Sequence, residues 1–335
     1  MCTFERAFLS LMITLEDIRK PVEGEMKEFN RRFRESVSSN VPLLNVVTRY
    51  IIHRKGKQMR PLFVLLTSKM TGEITESTYT AASLIELMHT ATLVHDDVVD
   101  DSNERRGVFS INAIWKSKVA VLLGDYLLAR GLLLAVREKD YNLLEIVSNA
   151  SKEMSEGELM QIQKSRSLNI NMDTYFDVIR KKTATLIAAC TSCGATAAGA
   201  SREIIDRVYD LGINIGMAFQ IKDDLFDYQP HGKIGKPTGN DIKEKKFTLP
   251  LIYALTQSEP GKRHSVIRKI RNGNRNPGVV GDVIRFVEDQ GGIEFATRKM
   301  LEYKALAMEN LDGFPSSPSR DSLKDLVEFT VSRNR

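Results

Sequence analysis

The chain has 335 residues, 42% of them hydrophobic and 27% charged, so it is long enough and apolar enough to bury a large core. Its 48 lysines and arginines exceed its 43 aspartates and glutamates by a net charge of +5, an excess too mild to indicate nucleic-acid binding and better suited to a cleft for an anionic small substrate. Cys2, Cys190 and Cys193 cannot build a disulfide framework, which places the expectation in a reducing, cytoplasmic compartment.

A short apolar run from Phe8 to Ile13 is followed at once by Glu16 and Asp17, with no cleavage site, so no targeting segment is expected. Lys27 to Ser36 is charged at helical spacing, and Leu43 to His53 continues helical after Pro42. Gly56-Lys57-Gln58-Met59-Arg60-Pro61 then interrupts the pattern. With His53, Arg54 and Lys55 before it, this loop suits a phosphate, and equally an ordinary basic surface turn.

Leu62 to Met70 resumes an apolar helix that ends near Gly72, and Thr78 or a neighbouring hydroxyl residue caps the long helix that follows. That helix runs into Asp96-Asp97-Val98-Val99-Asp100. Residues four apart on a helix lie one above the other, so Asp96 and Asp100 share a face. Ile85, His89 and Thr92 continue that face, so the far end of whatever Asp96 holds points past Thr92 toward Ile85.

Trp115 to Lys118 is a polar break before Val119 to Val136, the most apolar stretch. Asp125 and Arg130 inside it are costly at a bilayer centre, so it is read as a buried core helix and no transmembrane segment is expected. Tyr141 to Lys164 is amphipathic. Asp173 to Ala197 carries Lys181-Lys182-Thr183, which can snorkel outward or reach a phosphate. It continues into small residues around Cys190 and Cys193, a C-x-x-C spacing read as close helix packing because neither a thioredoxin-like βαβ setting nor further zinc ligands accompany it.

Arg202 to Asp227 forms one long helix whose last turns hold Gln220, Lys222 and a second D-D-x-x-D cluster, Asp223, Asp224 and Asp227. The glycine- and proline-rich loop from Pro230 to Asp241 follows, crowded by Lys233, Lys236, Lys243, Lys245 and Lys246. Beside an acidic helix end it suits a lid over phosphates, or a solvated charge run. Thr248-Leu249-Pro250 opens another helix. The remainder is helical through Val279 to Gln290, Ile293 to Leu311 and Ser322 to Val331. With no sustained β alternation, glycine-rich βαβ turn or linker, the chain is expected to form a single all-α domain over residues 1–335, its N-terminal residues peripheral.

Each carboxylate cluster repels itself unless a cation sits between its prongs. Magnesium takes one or two protein carboxylates together with phosphate oxygens and water. Two such clusters therefore point to a metal-bound phosphorylated substrate, whereas one alone reads more readily as a solvated acidic helix end.

The combination resembles the trans-isoprenyl diphosphate synthases, or polyprenyl synthetases, from about Leu43 to the C-terminus. The matching pieces are Gly56-Lys57-x-x-Arg60-Pro61, the His89 helix with its aspartates, Arg105-Arg106-Gly107, Lys182-Thr183, Gln220-x-x-Asp223-Asp224-x-x-Asp227, and Gly235-Lys236 ahead of Lys246-x-Thr248-Leu249-Pro250. One departure is Lys245, where the family commonly has glycine.

The resemblance implies a bundle of long helices around a deep central cavity, assembled as a homodimer, with a peripheral membrane contact for product release. It implies Mg²⁺, three ions with substrate bound. Asp96, Asp100 and Asp223 would be metal ligands, with Asp97, Asp224 and Asp227 completing or orienting the sphere. Arg105, Lys182, Gln220 and Lys246 would hold an allylic diphosphate, helped by Thr183 and Lys236. Lys57, Arg60, His89 and Arg106 would hold isopentenyl diphosphate.

In this family, bulky aromatics four and five residues before the first aspartate stop chain growth early. Here Thr92 and Ala91 stand at those positions, with Met88 and Ile85 deeper. The expectation is therefore a medium- or long-chain, octaprenyl-like product of the kind used for quinone side chains. Geranylgeranyl diphosphate is the alternative, with Met88 as the cavity floor. An isoprenoid cyclase would replace the second acidic cluster, and a silent partner subunit would lose aspartates or the Arg105-Arg106 pair; this chain keeps all of them.

Overall fold

Hydroxyl and amide side chains set several of the helix starts. In the computed structural model, which describes residues 13–53, 56–105, 107–167, 171–228, 239–273 and 276–332, α1 (Leu15–Arg19) begins at Thr14 in a reciprocal box with Asp17. It leads into α2 (Glu23–Ser36), α3 (Pro42–His53) and α4 (Met59–Thr71). The long α5 (Glu76–Val99) starts at Thr75, whose hydroxyl accepts from the Thr78 N–H while the Thr78 hydroxyl accepts from the Thr75 N–H. The cap is thus Thr75, and Thr78 is the third helical residue that completes the box.

A two-residue antiparallel pair, β1 (Glu104–Arg105) with β2 (Val108–Phe109), turns through Gly107 at φ +75°. α6 (Ile111–Arg137) follows, kinked at Lys116 (φ 69°) inside the expected polar break. Next come α7 (Tyr141–Ser167), α8 (Met172–Ile179), a π turn at Arg180–Ala184 and α9 (Thr185–Ala197). The chain continues through α10 (Arg202–Phe226), α11 (Asn240–Lys243), α12 (Leu249–Gln257), α13 (Pro260–Gly273), α14 (Pro277–Asp289), α15 (Gly292–Asp312) and α16 (Pro318–Ser332). The architecture is all-α, as expected from the sequence.

The chain divides into two compact units. The first falls within Met1–Ser151, Ala189–Tyr209 and Phe314–Leu323; the second within Lys152–Ala188, Asp210–Gly313 and Lys324–Arg335. In the first, α4 buries Leu62 through Leu66 and α5 buries most of its length from Thr78 to Leu87. Glycines allow the close approaches. A Cβ on Gly131 of α6 would meet Leu84 Cδ1 at 3.1 Å, and one on Gly194 of α9 would lie 2.5 Å from the Val64 carbonyl oxygen. Cys190 and Cys193 are buried in this packing, and burial pushes the Cys190 thiol up to about 12. They are inert core residues.

The second unit packs α8, α10, α12, α14 and α15 around Ile221, Leu225, Leu249, Ile252, Phe286 and Val287. Tyr253 of α12 stacks on Phe295 of α15 at 4.0 Å between centroids.

The reading of Val119 to Val136 as a buried core helix needs correction. On α6, Leu122 is 58% exposed and Leu132 50%, and Val121, Leu133 and Val136 are exposed as well. Length and apolar composition alone would let α6 cross a membrane. Arg130 Nε nevertheless donates to the Ser36 carbonyl at 2.6 Å, and the Tyr126 hydroxyl donates to the Ser38 carbonyl at 3.1 Å. Apolar sequence marks a face that wants cover, and here the first unit covers only part of it.

Candidate active site

In the second unit, polar side chains converge on a cavity of about 270 Å³. α8 supplies Tyr175, the π turn Lys182 and Thr183, and α10 Gln220, Asp223 and Asp224; Gln161 of α7, Asp241 of α11, Lys246 and Thr248 complete the polar lining. A run of hydrogen bonds joins them. The Thr183 hydroxyl donates to Gln220 Oε1 at 2.8 Å, and Gln220 Nε2 donates to Asp224 Oδ1 at 3.0 Å. The Tyr175 hydroxyl donates to Asp224 Oδ2 at 2.6 Å.

Burial pushes the Asp224 carboxyl up to about 6, against the pull of the Tyr175 and Gln220 hydrogen bonds. Asp241 is pushed up to about 7, first by desolvation and then by the charges of Asp224 and Asp227. A pocket that disfavours negative charge this strongly gains from any cation placed in it. Hard carboxylate oxygens are the donor type that magnesium selects, so the residues present fit a divalent metal.

The cavity lysines are held by neighbouring acids and amides. Lys182 Nζ pairs with Glu158 of α7 and donates to Gln161 Oε1 at 2.9 Å, while Lys181 pairs with Glu156 at 2.7 Å. Gly157 lets the π turn come this close, since a Cβ there would lie 2.8 Å from the Lys182 nitrogen. Lys246 Nζ lies 2.5 Å from Glu244 Oε2.

The third aspartate of the second cluster has another task. Both Asp227 carboxylate oxygens accept backbone N–H groups at the start of α11, from Asn240 at 2.8 Å and Asp241 at 2.9 Å. α11 then ends in a Schellman turn: the Lys245 N–H donates to the Ile242 carbonyl at 3.1 Å and the Lys246 N–H to the Asp241 carbonyl at 2.8 Å. That turn needs a left-handed residue, and Lys245 adopts φ 57°. The glycine common in the resembling family has its physical reason here, and the lysine in this chain bears strain.

In the first unit, α5 brings Asp96 and Asp100 to its C-terminal end, both exposed, while Asp97 is buried on the other side. Asp100 is the C-cap, its N–H donating to the Asp96 carbonyl at 2.8 Å. The negative end of the helix dipole adds to these carboxylates, so this helix end too favours a cation. His95, next to Asp96, is seated in a notch of α6: its Nε2 lies 3.2 Å from the Val121 carbonyl and 3.6 Å from an Asp125 carboxylate oxygen. A Cβ on Gly124 would fall 2.1 Å from that nitrogen.

Further back on α5, Thr92 is half-buried with its hydroxyl donating to the His89 carbonyl at 2.8 Å, and Ile85, Met88, His89 and Ala91 are buried. The Lys57 carbonyl accepts from the Arg19 guanidinium, and Arg60 lies half-buried in the first turn of α4. Arg105 stands in β1; its side chain, and all of Arg106 and Lys236, lie outside the described residues.

Among the described residues no three of His, Cys, Asp and Glu gather as a metal cage. Magnesium seldom uses one, completing its sphere with substrate phosphate and water. The site residues that sequence reasoning missed are Tyr175, Gln161 and Asp241. Tyr175 bonds a carboxylate 49 positions away, a pairing with no local signal. Asp241 was visible only as one acid in a lysine-rich loop.

A family model described as polyprenyl synthetase matches residues 41–287. The chain is 33% identical to an octaprenyl diphosphate synthase from Escherichia coli (strain K12), the match covering 96% of this chain and 100% of that one. A crystal structure of polyprenyl synthase from Caulobacter crescentus CB15, complexed with calcium and isoprenyl diphosphate, superposes with a TM-score of 0.87 at 32% identity over 96% of this chain and 98% of that one. A geranylgeranyl pyrophosphate synthase from Bacteroides thetaiotaomicron gives 0.80 at 38% identity over 96% and 100%.

Proposed function

Because this chain belongs to the polyprenyl synthetase family, we propose that it condenses isopentenyl diphosphate with an allylic diphosphate, releasing diphosphate, to build a medium- or long-chain all-trans polyprenyl diphosphate. The observation that carries the reading is the lysine-, amide- and carboxylate-lined cavity at the end of α10 in the second unit; within the first unit, small Ala91 and Thr92 stand behind Asp96 on α5.

Asp96, Asp100 and Asp223 would hold Mg²⁺, in our reading three ions with substrate bound. The metal, when bound, supplies positive charge against the departing diphosphate. Lys182 and Lys246 place ammonium groups for the same oxygens, and Gln220 offers its amide. Charge developing on the leaving oxygen is stabilised, and the allylic C–O bond breaks with its electrons going to diphosphate. The isopentenyl double bond attacks the allylic carbon, a new carbon–carbon bond forms, and a proton leaves to restore a trans alkene. Diphosphate itself accepts that proton, so no protein nucleophile is required. Lys57, Arg60, His89 and Arg106 are the residues assigned to isopentenyl diphosphate; Arg105 joins Lys182, Gln220 and Lys246 in holding the allylic diphosphate, and Thr183 and Lys236 help.

A second copy of the chain is the cover proposed for the exposed apolar face of α6, making a homodimer. A reducing, cytoplasmic setting suits the free Cys190 and Cys193. A geranylgeranyl product is the second reading, favoured by the buried Met88 one turn behind Thr92 and by the Bacteroides relative. Incubation with isopentenyl diphosphate, farnesyl diphosphate and Mg²⁺, followed by sizing of the dephosphorylated products, separates the two. A ladder well beyond twenty carbons supports the long-chain reading and a stop at twenty carbons the second. Release of diphosphate without isopentenyl incorporation would overturn both in favour of a cyclase.

A further inference from the structure

We propose that the outer face of α13 is a docking surface for an anionic phospholipid bilayer. This rests on the polyprenyl product assigned above, and it names where that product meets its destination. Within Pro260–Gly273 the helix carries Lys262, Arg263, Arg268, Lys269 and Arg271 and no carboxylate. Val266 and Ile270 are buried and fix which side faces the second unit. At about 100° per residue, His264, Arg268 and Arg271 fall on the opposite arc, roughly 60° wide, while Arg263 lies to one side near the meridian of Ile270, and all four are exposed.

The two lysines are directed elsewhere. Lys269 pairs with Asp282 of α14 at 2.8 Å, and Lys262 Nζ lies 5.4 Å from the centroid of the Phe286 ring on the same helix. The exposed surface of the helix therefore presents Arg268 and Arg271 on the outer arc and Arg263 at its side, with the His264 ring held to the Pro260 carbonyl at 2.7 Å. Guanidinium groups pair with phosphate through two parallel hydrogen bonds, which a hydrated ammonium cannot do.

A phosphate-bearing surface can belong to lipid or to nucleic acid, and two observations favour lipid. α13 has no aromatic side chain on which a base could stack, and the whole chain is only mildly basic. The product, by contrast, is an amphiphile with a diphosphate head, and each added isoprene unit raises its preference for a bilayer over water by orders of magnitude. An arginine face that holds the enzyme on an anionic leaflet shortens the transfer of that chain out of water.

The test is sedimentation of the full chain with vesicles of equimolar phosphatidylglycerol and phosphatidylcholine, and with phosphatidylcholine alone, at low and high salt. The comparison protein carries Arg263→Gln, Arg268→Gln and Arg271→Gln, all exposed, and its circular dichroism is matched to the parent. The parent is expected to bind the anionic vesicles only, and to leave them at high salt. With roughly a fivefold contribution from each arginine near the surface, the triple variant should bind on the order of a hundredfold more weakly. Equal binding by parent and variant, equal binding to neutral vesicles, or a preference for single-stranded RNA over vesicles would overturn the proposal. Turnover with isopentenyl and farnesyl diphosphates in vesicle-free buffer is measured on both proteins and should be equal. Absence of turnover in both would sink the enzymatic reading separately, since the vesicle comparison is read without it.

Discussion

Gly124→Ala is the perturbation whose consequence the structure specifies most closely. The added methyl would lie 2.1 Å from His95 Nε2, 2.5 Å from Cδ2 and 2.7 Å from Cε1, so the whole ring must leave its notch. Overpacking of this kind costs typically 1–3 kcal/mol, and losing the contact to the Val121 carbonyl adds about 1 kcal/mol. The sum is about 2–4 kcal/mol, read as a lower urea midpoint with an unchanged slope. Because His95 adjoins Asp96, the magnesium concentration for half-maximal turnover should rise as well. The double variant His95→Ala/Gly124→Ala removes the ring that the methyl strikes, and should recover most of the lost stability and magnesium response. A Gly124→Ala protein within about 0.5 kcal/mol of the parent, or a double variant no better than the single one, would refute the reasoning.

Lys245→Gly relieves the left-handed strain at the end of α11 and should raise stability by up to about 1 kcal/mol in urea titration, with Lys246 retained for turnover. Asp224, with its carboxyl raised to about 6 by burial, favours the folded state while protonated; that contribution is complete below pH 4 and is lost as pH rises through about 6. In metal-free buffer, Asp224→Asn should therefore become more stable relative to the parent across this window, by about 2–3 kcal/mol at pH 7, and parallel curves would contradict the shift. Asp96→Ala should lower turnover on the order of 10²–10³-fold at saturating magnesium, and near-normal rates would remove it from the metal site. Thr92→Phe should shorten the product ladder through the steric bulk it adds behind Asp96; an unchanged ladder would show that this face of α5 does not gauge length.

Helices and carboxylate clusters were legible because both are local. Four-residue spacing puts Asp96 over Asp100 whatever the rest of the chain does, and a polar run at Trp115 to Lys118 foretold the kink at Lys116. Less was legible where a distant partner decides. Asp227 was expected to complete or orient the metal sphere, and the sequence carried no sign that its oxygens are engaged by N–H groups 13 and 14 residues ahead. Apolar density made Val119 to Val136 look like core, because composition does not distinguish a face covered by its own chain from one left for another. Lys245 was recognised as a departure from the family pattern, but only the backbone shows that the position is left-handed.

The π turn at Arg180–Ala184 works as a phase shifter between two helices that otherwise continue one another. Residues before it and after it keep helical spacing internally but not across it, so α8 and α9 are angularly decoupled by one extra residue. Deleting a single residue there would leave both helices intact and every motif spelled the same. It would close the wide turn to an ordinary helical one and remove the bulge from which Lys182 and Thr183 reach the cavity. In this stretch the information that builds the site is a count of residues, and a comparison that aligns letters without counting the turn would miss its loss.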